Sequence, residues 1–144
     1  MNPSPNHAYF LFALLALLDD KIKERITFFL DKRLLDGALY EMFKRKKFPD
    51  WFAEEFSYDP LYGQSDSLRW CIVYGMSRLL AISIEVTGAG SFYRLKIGES
   101  DAESFVNNLG RLGVTLEQVK DMAEVLSRYL LEKEEEEKKK QKPV

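Results

Sequence analysis

The chain has 144 residues, of which 46% are hydrophobic, 31% charged and 13% aromatic, and its formal net charge is −2. That length and apolar content suit one globular domain with a real core. The near-neutral balance argues against a free-standing basic DNA binder, so any nucleic-acid contact must come from local patches or from partner subunits. One cysteine, Cys71, and one histidine, His7, exclude an internal disulfide and a Cys/His zinc site. A lone free cysteine fits a reducing, cytoplasmic setting.

Met1 to Asn6, with Pro3 and Pro5, reads as a loose arm. Ala8 to Leu18 is an unbroken apolar run, too short for the ~20 residues that span a bilayer. No Lys or Arg precedes it, so it does not read as a signal peptide. The spacing predicts a helix from about His7 to Leu18 that is apolar on every side. Such a helix needs cover all round, and Phe10, Leu14 and Leu17 are expected to pack on another copy or a partner. Asp19 and Asp20 close it. Ile22, Ile26, Phe29 and Leu30 then mark a second helix at i, i+4, i+7, i+8.

Asp31 restarts the helical pattern. Leu34 with Leu35, Ala38 with Leu39, and Met42 with Phe43 form its stripe. It ends in Lys44-Arg45-Lys46-Lys47. Cations at a helix C-terminus are favoured by the helix dipole; the same four side chains could bind phosphates. Pro49 stops the segment, Trp51 to Phe56 suits one or two helical turns, and Tyr58 to Gly63 is a turn-rich loop. Ser65 or Asp66 caps a helix from about Ser67 to Leu80, with Leu68, Ile72, Met76 and Leu79 on one face and Cys71 in the core. Gly75 and Ser77 would let another backbone approach.

One stretch breaks the helical pattern. Ile82, Ile84 and Val86 alternate with Ser83, Glu85 and Thr87, Gly88-Ala89-Gly90 turns the chain, and Tyr93, Leu95 and Ile97 alternate with Phe92, Arg94 and Lys96. Side chains on a strand alternate between faces. The hairpin therefore has a greasy face and a face with one ring and two cations. Ser100-Asp101-Ala102-Glu103 reads as a capping box before a helix with the stripe Ala102, Phe105, Val106 and Leu109. Thr115-Leu116-Glu117-Gln118 is a second box, before a last helix through Leu130. Residues 1–131 form one domain on this reading, and 132–144 a charged, frayed helical tail. The tail's Glu134–Lys138, Glu135–Lys139 and Glu136–Lys140 are i,i+4 pairs, and this Glu/Lys richness is of the kind found in thermophiles. The fold class is mainly α (α+β): a helical bundle-like domain with one inserted antiparallel hairpin.

For chemistry the residues offer little. Nucleophilic catalysis needs a nucleophile and base within reach, and the one histidine lies in the N-terminal arm. Asp50, Glu54, Glu55, Asp59 and Asp66 are close in sequence and could gather oxygen ligands, but read better as a solvated face. No catalytic residue, metal site or cofactor is assigned, and the chain is not read as an enzyme. The hairpin is the better lead. Arg94 and Lys96 can neutralise phosphates and Phe92 can stack on a base; the alternative is a solvent face with Glu85 paired to Arg94 or Lys96. Lys44, Arg45, Lys46, Lys47, Arg69 and Arg78 would extend a basic surface.

Two families resemble this order of elements. An apolar helix, then KIKERITFFLDKRLLDGALYEMFKRK, a small β element and DAESFVNNLGRLGVTLEQVKDMAEVLSRYL, is similar to the small subunit of archaeal type I-A CRISPR surveillance complexes. That resemblance implies a non-catalytic subunit of a Cascade-like ribonucleoprotein. It would stack in several copies beside the crRNA-bearing backbone and hold target or displaced DNA in antiviral defence. The stretch YGQSDSLRWCIVYGMSRLLAISIEVTGAGSFYRLKIG resembles archaeal winged-helix proteins, which implies a DNA-binding regulator. A protein–protein adaptor docking through its first helix is a third reading. None of the three places the chain in a membrane.

Overall fold

The computed structural model describes residues 3–141. Among the described residues it contains eight α-helices and one two-stranded antiparallel sheet, which is the mainly α fold with one inserted hairpin that the sequence predicts. The helices are α1 (Pro5–Ala16), α2 (Asp20–Glu24), α3 (Ile26–Asp31), α4 (Leu34–Lys44), α5 (Asp50–Glu55), α6 (Asp66–Tyr74), α7 (Glu99–Asn108) and α8 (Leu116–Gln141). Strands β1 (Ile82–Thr87) and β2 (Gly90–Leu95) lie between α6 and α7.

Helix α1 is the axis of the core. It packs on α7, α8 and α6, and the rings of Phe48, Trp51 and Phe52 close around Phe10. This corrects the expectation that its apolar face serves a partner. Phe10 and Leu14 have no exposed surface, and Leu17 is half-buried. The physical reason is that α6, α7 and α8 pack around α1 while the rings of Phe48, Trp51 and Phe52 cover Phe10. The arm is also not loose where it is described. Pro3 is buried, and Ser4 donates through its backbone N–H (2.7 Å) and its hydroxyl (2.9 Å) to the Glu55 carboxylate.

The second helical pattern is broken at Arg25, whose backbone leaves the helix between α2 and α3. Its guanidinium lies over Phe28 and Phe29 and pairs with Glu134. Glu134 is buried on α8, and its carboxyl is held below the usual range by the Arg25 hydrogen bond. The tail is therefore tied to the body at its start and runs on as helix to Gln141. Its ion pairs are Lys133–Glu136 and Lys138–Glu135 at i,i+3, in place of the three i,i+4 pairs.

Caps fix the remaining boundaries. Ser65 Oγ accepts from Leu68 N–H at 3.1 Å, and Thr115 and Gln118 exchange the two bonds of a capping box at 3.2 and 3.1 Å. Helix α7 starts earlier than predicted, because Gly98 is its cap and Asp101 accepts from the Gly98 N–H at 2.8 Å. Helix α6 gives way at Gly75 to a π turn, Gly75–Leu79. What approaches Gly75 is a ring, not a backbone: a Cβ there would stand 2.3 Å from Phe12 Cζ.

Candidate nucleic-acid interface

The hairpin has the register its alternation predicts, with Ser83 opposite Arg94, Ile84 opposite Tyr93 and Glu85 opposite Phe92. A two-residue loop, Gly88-Ala89, joins the strands, and Gly90 leaves it at φ +129°, where only glycine sits without strain. Directly opposed residues share a face. Phe92, Arg94, Ser83, Glu85 and Thr87 thus lie together, and Ile82, Ile84, Val86, Tyr93 and Leu95 lie on the reverse.

On the polar face, Arg94 Nε pairs with Glu85 at 3.4 Å. Phe92 is 40% exposed. Lys96 is exposed and has no ion-pair partner among the described residues. The groove between this face and α2 is lined by Asp20, Glu24 and Glu85 as well as Lys23 and Arg94. Carboxylates outnumber cations there, so the groove offers a phosphate chain little attraction.

The end of α4 is different. Lys44, Arg45, Lys46 and Lys47 are all exposed. Lys44 and Arg45 reach Glu41 at 2.9 and 3.3 Å, and Lys133 from α8 reaches the same carboxylate at 3.7 Å. The hydrogen bond from Lys44 and the other cations hold the Glu41 carboxyl below its usual value. Glu41 is shared by three cations, of which Lys133 also reaches Glu136 and Arg45 feels Glu132, and the patch keeps an excess of positive charge. Lys46 and Lys47 have no ion-pair partner among the described residues.

The backbone that presents these cations ends α4 in a Schellman motif. Lys46 N–H donates to Phe43 C=O at 3.1 Å and Lys47 N–H to Met42 C=O at 2.9 Å. Lys46 occupies the left-handed position, φ 56°, that glycine ordinarily fills. Beside it runs a ladder of rings. Tyr58 stacks on Tyr40 at 4.0 Å with the planes 4° apart, Tyr40 lies 6.4 Å from Phe43, and Phe43 lies 5.3 Å from Phe56. Lys44 Nζ stands 4.7 Å over the Tyr40 ring, and Arg45 5.4 Å from the Tyr129 ring. Sequence reasoning placed Phe43 on the buried stripe; it is 37% exposed. The missed signal was an aromatic pair at i,i+3, Tyr40 and Phe43, running directly into the basic run.

The other sequence candidates stand apart. Arg69 lies 3.7 Å from Asp36, a carboxylate with no exposed surface that also accepts from Ser65 N–H at 2.8 Å. Burial pushes the Asp36 carboxyl up, against the pull of Ser65 and Arg69. Asp36 therefore holds the Ser65 end of the loop, and Arg69 balances its charge. Arg78 is exposed in the π turn.

The five acids of the 50–66 stretch serve local ends. Glu55 holds Ser4, Asp59 accepts from Leu61 N–H at 2.9 Å, Asp66 accepts from Gln64 Nε2 at 3.3 Å, and Asp50 and Glu54 face solvent. Among the described residues no group of three His, Cys, Asp or Glu could hold a metal ion. Cys71 is buried, and burial followed by the charge of Glu55 pushes its thiol well up. His7 is also buried. It stacks on Phe52 at 3.8 Å, and Nδ1 lies 3.6 Å from Glu55. Burial lowers its pKa from 6.5 to about 4, although Glu55 pulls the other way.

Among the described residues no helix is long and apolar enough to cross a membrane. No family model, curated protein or solved structure matches the chain.

Proposed function

We propose that this chain is a non-catalytic nucleic-acid-binding subunit of a ribonucleoprotein assembly, and that the end of α4 makes the contact. The observation that carries the reading is the pairing of four exposed cations with a half-open aromatic ladder on one helix end. Lysine and arginine neutralise phosphates, and rings such as Phe43 supply stacking surface that tolerates any base. A single strand offers both phosphates and unstacked bases. The setting we favour is the one its order of elements resembles, the small subunit of a CRISPR interference complex that holds target or displaced DNA.

A left-handed lysine supports the same reading. Glycine would close the Schellman motif at lower cost, yet Lys46 stands there with its charge in solvent. The winged-helix reading has weaker support. Cys71 and Ile72 of α6 are buried, and the helix exposes only Asp66, Arg69 and Val73, with Arg69 engaged by Asp36. That is little with which to read base edges.

The test compares two charge reversals, Lys46→Glu with Lys47→Glu and Arg94→Glu with Lys96→Glu, using a fluorescent single-stranded oligonucleotide at low salt. The first pair is expected to abolish binding and to flatten the log–log salt slope of any residue of it by roughly two. The second is expected to change affinity less than about threefold. Loss of binding in the second pair alone would move the site to the hairpin. Absence of binding by the unaltered chain at any salt would overturn the reading.

A further inference from the structure

Helix α4 carries cations at both of its ends. Among the described residues three non-glycine positions have positive φ, and two of them, Arg33 and Lys46, flank α4 at φ 57° and 56°. The Lys46 end makes the contact proposed above. The Arg33 end opens into a cleft of about 290 Å³ between the start of α4, the 58–63 loop and the tail of α8. Arg33 Nη1 donates to the Tyr62 carbonyl at 2.7 Å, a neutral acceptor that leaves its charge in place. Lys133 reaches Glu136 at 3.8 Å in the cleft wall. Beyond that pair, Lys32, Arg33 and Lys140 face Glu137 as the one further carboxylate of the lining. The charge balance is the reverse of that in the groove beside the hairpin.

The cleft also has rings. Tyr62 is 66% exposed, on a loop whose backbone is braced: Asp59 N–H donates to Gln64 C=O and Gly63 N–H to Asp59 C=O, both at 2.8 Å. Tyr58 lines the cleft and stacks on Tyr40, the ring that lies under Lys44 Nζ. An aromatic wall thus joins the two cation clusters. The floor of the cleft includes Gly37, inside α4, where glycine is less stable than alanine. Packing does not require it. A Cβ there would meet Cε and Cδ of Lys133 at 3.7 and 3.8 Å, which is ordinary contact. What the missing side chain leaves open is the cleft.

We infer that this cleft is a second anchor for the same single strand. From the Lys44–Lys47 end the strand follows the Tyr40–Tyr58 stack, sets a phosphate among Lys32, Arg33 and Lys140, and lays a base against Tyr62. Cations neutralise the backbone and an exposed ring stacks on a base, a combination that suits a single strand better than an acidic peptide. The inference rests on the α4 reading and adds a path and a length to it. Helix α4 has 11 residues, a rise of ~16 Å, which ~5 nucleotides bridge at the ~3.4 Å of a stacked strand. An extended strand bridges it with fewer.

The test titrates fluorescent decathymidylate at low salt with the full chain and with variants of the cleft, each checked by circular dichroism. Lys32→Glu with Lys140→Glu is expected to weaken binding at least about tenfold and to flatten the log–log salt slope by roughly one to two. Tyr62→Ala keeps the backbone bond to Arg33 and is expected to cost about fivefold or more, the loss of one stacked base. Gly37→Leu fills the floor, and is expected to weaken binding while the melting temperature holds or rises. If Lys46→Glu with Lys47→Glu abolishes binding and every cleft variant binds as the unaltered chain does, the cleft is overturned and the α4 reading stands. If the unaltered chain binds no decathymidylate, both fall. Displacement of decathymidylate by polyglutamate at equal charge concentration would make the cleft a site for acidic chains and overturn the inference.

Discussion

His7 makes stability fall in a defined pH window. It sits fully enclosed against Phe52, with a pKa of about 4 against 6.5 for an exposed imidazole. The folded state therefore binds its proton later than the unfolded state. Above pH 6.5 both states hold neutral His7 and stability is at its full value. As pH falls through 6.5 the unfolded chain takes up a proton that the folded chain refuses, and stability declines until about pH 4. The gap is worth ~3 kcal/mol at ~1.4 kcal/mol per unit of pKa, and most of it is lost by pH 4.5. Asp36 acts with the opposite sign, because its raised carboxyl favours the folded state as pH falls. The comparison must therefore isolate His7. His7→Phe keeps a ring on Phe52 and leaves the Ser4–Glu55 bonds in place, so Asp36 cancels between the two proteins. Urea unfolding at pH 7.5, 6.0, 5.0 and 4.5 should show the unaltered chain losing ~2–3 kcal/mol relative to His7→Phe between the first and last conditions. Parallel pH dependences for the two proteins would refute the reasoning, and would mean that His7 takes up its proton in the folded state at an ordinary pH.

Two further outcomes follow from local geometry. Gly75→Ala pushes a methyl group into the Phe12 ring, which has no exposed surface to retreat to; thermal unfolding should report a loss of ~1–3 kcal/mol, and an unchanged melting temperature would mean that the π turn yields freely. Lys46→Gly relaxes the left-handed position at the end of α4 and should raise stability by ~0.5–1 kcal/mol while weakening oligonucleotide binding. A variant equally stable and equally tight in binding would leave the left-handed lysine without the role given to it.

The helices and the hairpin were legible because their signals are local. Alternation at 82–97 carried the strand faces and register, and the Thr115 and Ser65 caps each set a helix start through a bond three residues along the chain. The misplaced parts depend on contacts distant in sequence. Enclosure of α1 needs α6, α7 and α8 and, at Phe10, the rings of Phe48, Trp51 and Phe52, which nothing near α1 announces. The break at Arg25 comes with a pairing to Glu134, and Glu134 itself reads as one more acid in a solvated run until α8 is laid against α4 and reaches Arg25. The exposure of Phe43 was hidden for another reason. A helical stripe is a band of finite width, and Phe43 lies at its edge, where period alone does not separate core from surface. The basic run was visible, and only folding brings Tyr58 and Phe56 beside it.

The central claim is that the end of α4 holds a nucleic-acid strand, and hydrogen exchange with mass spectrometry tests it most directly. The full chain is compared with and without a saturating single-stranded oligonucleotide at low salt. The account predicts slowed exchange in the segment around residues 40–48, where the Schellman amides of Lys46 and Lys47 carry the cations, and little change across 82–97. Protection confined to the hairpin, with 40–48 unaffected, would contradict it.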